Sequence, residues 1–251
     1  MAPNLLVLGG TTEATALCRA VSAAGLRGTI SFAGRVARPV RQPMPQRIGG
    51  FGGAAGLATY LRDQRITHVI DATHPFAAQM SRNAVSACDA ARVPLIALTR
   101  APWRAQPGDS WTHVPDIPGA VAALDRPPAR VMLAIGRMHL AAFAPHPQHF
   151  YLLRLVDPPE APLPFPDCHT LVNRGPFSEA GDLGLMRQHR ITHVVSKNAG
   201  GTGAYAKLAA ARAIGLPVIM IDRPALPARR EAHSIDEVMG WIAHAGTDLG
   251  V

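Results

Sequence analysis

The chain has 251 residues, 48 % of them hydrophobic, enough for one large core or two ordinary ones, and no apolar run approaches the roughly 18 residues that cross a bilayer, so a soluble chain is expected. Its three cysteines, Cys18, Cys88 and Cys168, are scattered without a CxxC pair, which argues against a disulfide framework and for a reducing, cytoplasmic setting. The formal charge of +8 requires an anionic partner, but the cations stand singly and aromatics reach only 5 %, which speaks against nucleic acid or a membrane and for a small polyanion in a cleft.

The first predicted strand, NLLVLGG (residues 4–10), is apolar on both faces, as a parallel strand covered by helices must be. In the LGGTTEATALC that follows, Gly9 and Gly10 permit a sharp turn and Thr11 or Thr12 caps a helix whose Ala14, Leu17, Cys18 and Val21 share one face. A helix start behind a glycine turn is a place for phosphate. The turn lacks the GxGxxG fingerprint, however, and an ordinary strand, turn and capped helix fits it equally. Glu13 counts against a pyrophosphate at the turn itself, because its carboxylate repels one; accepting hydrogen bonds from a ribose or a nicotinamide is the alternative. At the end of the second strand, TISFAGR (residues 29–35), no acid is present. NAD enzymes place Asp or Glu about 20 residues beyond the glycines and NADP enzymes place Arg there. Ser31 and Arg35, with Arg38 and Arg41 behind them, therefore favour NADPH over a solvated basic loop.

RITHV (residues 65–69) leads a strand into DATHPFAAQMSRNA, where Asp71 and His74 are expected to share a polar site and Pro75 to start a helix. No GxSxG elbow accompanies them, so a hydrolase triad is not expected; His74 alone reads more simply as a capping histidine. A strand in ARVPLIALTRAP (residues 91–102) and a capped helix in DIPGAVAAL (residues 116–124) follow. The paired prolines of DRPPAR (residues 125–130) mark the expected boundary between domains 1–125 and 130–251.

The second half repeats the first. Strands RVMLAIGR (residues 130–137) and HFYLLRLVD (residues 149–157) precede a second RITHV at residues 190–194, 125 positions after the first. IGLPVIMIDRPA (residues 214–225) matches the earlier Pro-containing strand, and SIDEVMGWI (residues 234–242) opens on a capping box of Ser234 and Glu237. Directly after the second RITHV strand comes SKNAGGTGAYAKLAAARAIG (residues 196–215). Its Gly200, Gly201 and Gly203 precede an Ala-rich helix, with Lys197 and Asn198 beside them, so bare amides face an anion; a flexible turn is the plainer alternative. Strands alternating with helices in two copies predict an α/β protein of two tandem Rossmann-like domains with parallel sheets and a cleft between them. His68 and His193 sit inside the repeat and read as structural, His146 and His149 show no ligand spacing, and no metal is assigned. Arg229 and Arg230 read as solvated surface.

The motifs GGTTEA, DATHPFA and SKNAGG, in that order, resemble the precorrin-6A reductases of cobalamin biosynthesis, a branch of porphyrin-type tetrapyrrole biosynthesis, and the likeness runs essentially end to end. The resemblance implies an NADPH-dependent oxidoreductase that transfers hydride to precorrin-6A to give precorrin-6B. It also allows a strand to be exchanged between the domains. The N-terminal domain would hold NADPH through Gly9, Gly10, Thr11, Thr12, Glu13, Ser31, Arg35, Thr73 and His74. The C-terminal domain would hold the polycarboxylate macrocycle through Arg137, Arg154, Arg174, Lys197, Asn198, Gly200 and Gly201. His74, Lys197 and Tyr205 are the candidates for a protein acid, with a solvent proton preferred. The competing expectation is a non-catalytic two-lobed binding protein for an anionic ligand.

Overall fold

In the computed structural model, residues 2–34, 41–159, 161–173 and 175–244 are described. The elements begin with β1 (Asn4–Leu8), α1 (Thr12–Ala23), β2 (Arg27–Phe32), β3 (Gln46–Ile48), α2 (Gly53–Asp63), β4 (His68–Asp71), α3 (Ala78–Ala91) and β5 (Leu95–Leu98). They continue with β6 (Ser110–Val114), α4 (Ile117–Ala122), β7 (Arg130–Ala134), a 3-10 helix at Arg137–Phe143, β8 (Phe150–Leu155), β9 (Cys168–Val172) and α5 (Glu179–Gln188). The last are β10 (His193–Lys197), α6 (Ala206–Ala213), β11 (Pro217–Ile221), β12 (Arg230–Ala232) and α7 (Ile235–His244). Among the described residues no helix is long and apolar enough to cross a membrane.

The chain divides into two compact units, one running up to Arg100 and resuming at Ala225, the other Ala101–Pro224. The boundary expected at residues 125–130 is therefore corrected. β6 and α4 lie before it yet belong to the second unit, and β12 and α7 belong to the first. Each unit carries one parallel six-stranded sheet, ordered β12-β5-β4-β1-β2-β3 in the first and β6-β11-β10-β7-β8-β9 in the second. The strand exchange is mutual, with Arg230 of β12 opposite Ile96 of β5 and Ser110 of β6 opposite Pro217 of β11.

Both RITHV copies do the same work. Arg65 (φ 49) and Arg190 (φ 50) take the left-handed position that ends α2 and α5, and Ile66 N and Ile191 N donate back to Leu61 O and Met186 O, each at 2.8 Å. This is the Schellman closure, with an apolar contact between the isoleucine and the residue it bonds. Thr67 Oγ1 then accepts from Asn4 N (2.8 Å) and Thr192 Oγ1 from Arg130 N (3.1 Å), fixing the start of the central strand in each sheet. The hydroxyls also meet the Nδ1 atoms of His68 (2.8 Å) and His193 (2.9 Å), and Val69 and Val194 are fully buried. Five residues thus end a helix, seat a strand and enter a core.

Alternation along β1 sends Leu5 and Val7 to the face covered by α1 and α7, and Leu6 and Leu8 to the face covered by α2 and α3. Each such buried leucine contributes roughly 1.5–3 kcal/mol relative to an exposed one. The expected face of α1 is buried as Ala14, Leu17, Cys18 and Val21. In the second unit Met132, Leu152, Val194 and Met220 meet Met186, Leu208 and Ala211 from the helices. Asp116 caps α4 through Gly119 N (2.8 Å), and Ser234 with Glu237 caps α7, the glutamate reaching His233 N (3.0 Å). Pro75 does not start a helix: Ala77 N bonds His74 O (2.7 Å) in a turn, and α3 begins at Ala78.

Candidate functional site

In the first unit, Gly9–Glu13, Ser31, Thr73 and His74 gather at the carboxyl ends of β1, β2 and β4, which are neighbours in the order β4-β1-β2. Gly9 N bonds Ser31 O (2.9 Å), and a Cβ on Gly9 would lie 2.7 Å from Ile30 Cδ1, so the first glycine is needed for close approach. Gly10 has φ +127, and a Cβ there would meet nothing within 4 Å, which leaves the turn open on that side. Thr11 caps α1 by accepting from Ala14 N (3.1 Å) and donates to Ala72 O (2.8 Å), so one side chain joins the first turn to the end of β4.

Glu13 is paired. Arg100 Nη2 donates to its Oε2 at 2.5 Å and Thr12 Oγ1 donates to the same oxygen at 3.1 Å. Burial alone would push this carboxyl up, but the Arg100 hydrogen bond, a backbone N–H, the Arg100 charge and Thr12 together hold it below the ordinary carboxylate range. The repulsion expected between Glu13 and a pyrophosphate is thus offset by a cation that spacing alone does not bring to the turn. A group held low stabilises the fold at neutral pH and loses that contribution as pH falls through its folded value. Glu13→Gln is therefore expected to flatten the acid side of the stability curve, read by chemical denaturation from about pH 7 to pH 3.

Ser31 is buried, and its Oγ accepts from Arg47 Nη1 (3.2 Å). Arg47 also donates to Gly49 O (2.6 Å) and Gly50 O (2.7 Å) and lies 3.8 Å from the Phe51 ring centroid. Arg35, expected here, lies outside the described residues, as does Arg38. Arg47 escaped the sequence reading because it follows the proline-rich RQPMPQ, which reads as loop; its strand forms only by pairing with β2.

Asp71 is a buried hub. Its Oδ1 accepts from Thr73 N (3.1 Å) and Thr73 Oγ1 (2.7 Å), and its Oδ2 from Ser81 Oγ (2.6 Å) and Arg229 Nη1 (2.6 Å). Thr73, expected at the cofactor, is thus engaged with Asp71, and Arg229, expected in solvent, has an 8 % exposed side chain against 1 % for Asp71. His74 is half-buried, and its Nδ1 accepts from Phe76 N (3.2 Å), which places the proton of the neutral ring on Nε2.

In the second unit Arg137 follows β7, Arg154 and Lys197 lie in the last residues of β8 and β10, and Asn198, Gly200 and Gly201 follow β10; β10, β7 and β8 are again neighbours. Asn198, expected at the substrate, clamps Trp103: its Oδ1 accepts from Trp103 N (2.7 Å) and its Nδ2 donates to Trp103 O (3.0 Å). Gly200 (φ 70) and Gly201 (φ 72) are consecutive left-handed residues, and Gly201 O accepts from Trp103 Nε1 (2.7 Å). Arg223 donates to Asn198 O (2.9 Å) and Ala199 O (3.1 Å). Arg154, also expected at the substrate, forms a two-pronged ion pair with Asp182 of α5, with side chains 10 % and 3 % exposed, and its guanidinium lies 4.1 Å from the Phe177 ring centroid. Tyr205 OH accepts from Arg212 Nη1 (3.1 Å) just before α6. Lys197 is half-buried at the end of β10, Arg137 is exposed behind Gly136 (φ 76), and Arg174 lies outside the described residues. Sequence reading also missed Lys207. It is 6 % exposed, and burial, opposed by Asp182 and reinforced by Arg154, pulls its ammonium down to about 8.

Set against known proteins, residues 4–243 match the family model described as Precorrin-6x reductase CbiJ/CobK. The chain is 61 % identical over 249 residues to the precorrin-6A reductase of Rhodobacter capsulatus, covering 99 % of each. It is 46 % identical over 243 residues to that of a Sinorhizobium species, covering 96 % of this chain and 93 % of the relative. It is 28 % identical over 247 residues to the cobalt-precorrin-6A reductase of Priestia megaterium, covering 94 % and 96 %. A solved structure of CobK precorrin-6A reductase superposes with a TM-score of 0.93 at 61 % identity over 97 % of both chains.

Proposed function

The chain belongs to the precorrin-6x reductase family, and from that membership we propose that it is an NADPH-dependent reductase that passes hydride to precorrin-6A, giving precorrin-6B in cobalamin biosynthesis. The observation that carries the cofactor assignment is the pairing of Ser31 with Arg47 beside an open glycine turn whose neighbouring carboxylate is already neutralised by Arg100. The residues fit a dinucleotide phosphate. The start of α1 behind the open glycine turn suits a pyrophosphate, while a cation and a hydroxyl on β3 and β2 suit a 2′-phosphate better than a bare 2′-hydroxyl.

When bound, NADPH supplies the hydride. The protein's part is to hold donor and acceptor in register and to keep water out. The second unit would take the macrocycle, whose peripheral acetates and propionates ask for separated cations. Arg137, exposed after β7, and Lys197, at the end of β10, are the cations proposed for that role. The proton comes from solvent. The Nδ1 of His74 accepts from a backbone amide and so offers no proton there, and the phenol oxygen of Tyr205 is held by Arg212. The compartment is the reducing cytoplasm, consistent with the free thiols Cys18, Cys88 and Cys168.

The test is NADPH oxidation by the purified protein with metal-free precorrin-6A and, in parallel, its cobalt form. Arg47→Ala is expected to raise KM for NADPH about 10- to 100-fold, the loss of one or two charge-assisted hydrogen bonds, with NADH kinetics unchanged. Arg35→Ala, made alongside, apportions the phosphate between the two arginines. Macrocycle binding without turnover would favour the non-catalytic binding protein instead.

A further inference from the structure

The glycine-rich turn of the second unit has little reason to hold one shape by itself. Gly200, Gly201 and Gly203 contribute no side chains, and two of them sit at φ 70 and 72, where glycine keeps the most freedom. A frame around it supplies the order. Trp103 has its backbone held at both ends by Asn198, and its indole Nε1 donates to Gly201 O at 2.7 Å. Lys207 Nζ donates to Ala204 O at 2.6 Å and stands 4.9 Å from the centroid of the Trp103 ring. The ring lies 5.9 Å from Tyr205. The start, middle and end of the turn are therefore tied to one indole and one ammonium.

Lys207 is an expensive choice for filling space. It is 6 % exposed, so its charge is largely desolvated. It is the second residue of α6, where a cation opposes the helix dipole. The nearby carboxylate, Asp182, is already bound by both prongs of Arg154. A methionine would fill the same volume without these three costs. What a methionine lacks is a donor for Ala204 O and a charge for the indole face.

We propose that Lys207, acting with Trp103, is a positioning residue that holds the turn from Ala199 to Tyr205 in the shape that receives a carboxylate of the substrate. This rests on the reading of the second unit as the macrocycle's binding domain. The charged groups facing the ammonium are Asp182 from α5, which raises its proton affinity, and Arg154 from β8, which lowers it. β11, on which α6 also packs, carries no titratable side chain. With the ammonium pulled down to about 8, the pin is present at neutral pH and is lost in mild alkali.

The experiment combines an optical and a kinetic readout on the full chain. Without any ligand, Trp103 emission should titrate with a midpoint near pH 8 in the wild type, and that change should vanish in Lys207→Met and in Trp103→Phe. With precorrin-6A and NADPH, KM for the macrocycle should rise in the same alkaline range while kcat and KM for NADPH hold. Lys207→Met should show at pH 7 a KM raised about 10-fold or more, the loss of a charge-assisted hydrogen bond, and no alkaline rise. Its melting temperature should be no lower than that of the wild type, which separates positioning from scaffolding. Absence of the emission titration overturns the proposal even if the protein proves to act on another substrate. A present titration with an unchanged macrocycle KM in Lys207→Met overturns it too, because the pin would then hold nothing the substrate needs.

Discussion

Arg229→Ala destabilises the first unit by about 3–5 kcal/mol, the usual cost of leaving one partner of a buried ion pair alone, and lowers its melting temperature by roughly 6–20 °C. The size follows from the geometry. Asp71 has a 1 % exposed side chain and Arg229 an 8 % one, at 2.6 Å, so water replaces neither partner. Removing the guanidinium leaves a buried carboxylate with only Thr73 and Ser81 as donors. The consequence reaches the candidate cofactor site, because Asp71 orders Thr73 and hence the turn that bears His74. The test is a double-mutant cycle of Arg229→Ala and Asp71→Ala by denaturant unfolding. The double variant should lose less than the sum of the singles, and an Arg229→Ala protein within about 0.5 kcal/mol of wild type would contradict the buried pair.

Asp182→Ala is expected to cost a similar amount in the second unit, about 3–5 kcal/mol, since it strands Arg154 beside the buried Lys207. It also predicts a pH shift of definite sign. Burial depresses the proton affinity of Lys207 in the folded state to about 8, so between that pH and the ordinary lysine range the unfolded chain binds more protons and wild-type stability rises with pH. Asp182 is the group that props this affinity up. Without it, the rise should begin at lower pH, and the Trp103 emission midpoint should move the same way. Denaturant unfolding at a series of pH values from about 6 to 11 reads the first and fluorescence reads the second. In Lys207→Met the rise should be absent. A midpoint unmoved by Asp182→Ala would show that the carboxylate does not act on Lys207.

Each half of the chain announces its Rossmann-like pattern through continuous apolar strands, glycine turns and capped helices, and the repeated RITHV marks equivalent places in the two sheets. These features are local: a strand buried on both faces reads as apolar throughout, and a helix end needs its particular cap wherever it packs. The candidate site was legible to the same extent. Gly9, Gly10 and Thr11 stand where a strand-turn-helix puts them, because a tight approach to Ile30, an open turn and a cap are all satisfied by neighbours in sequence or in the next strand. Of the residues expected at ligands, Thr73, Arg154 and Asn198 are bonded within the protein. A polar side chain at a strand end carries the same sequence signal whether its partner is a ligand or a buried backbone group.

The sequence by itself determined the two parallel α/β halves, the family, and the ends of strands where chemistry gathers. Tertiary structure decided which half completes which sheet. Residues 222–229, between β11 and β12, form no helix and are shorter than the dozen or so that a parallel crossover needs, so β12 does not return to its own sheet but pairs with β5, and β6 pairs with β11 in exchange. Only that exchange brings Arg229 to Asp71, and only long-range packing pairs Glu13 with Arg100, Ser31 with Arg47 and Trp103 with Asn198. Such partners lie from 16 to 158 positions apart, and charge or hydrogen bonding over those separations leaves no period in the sequence to be read.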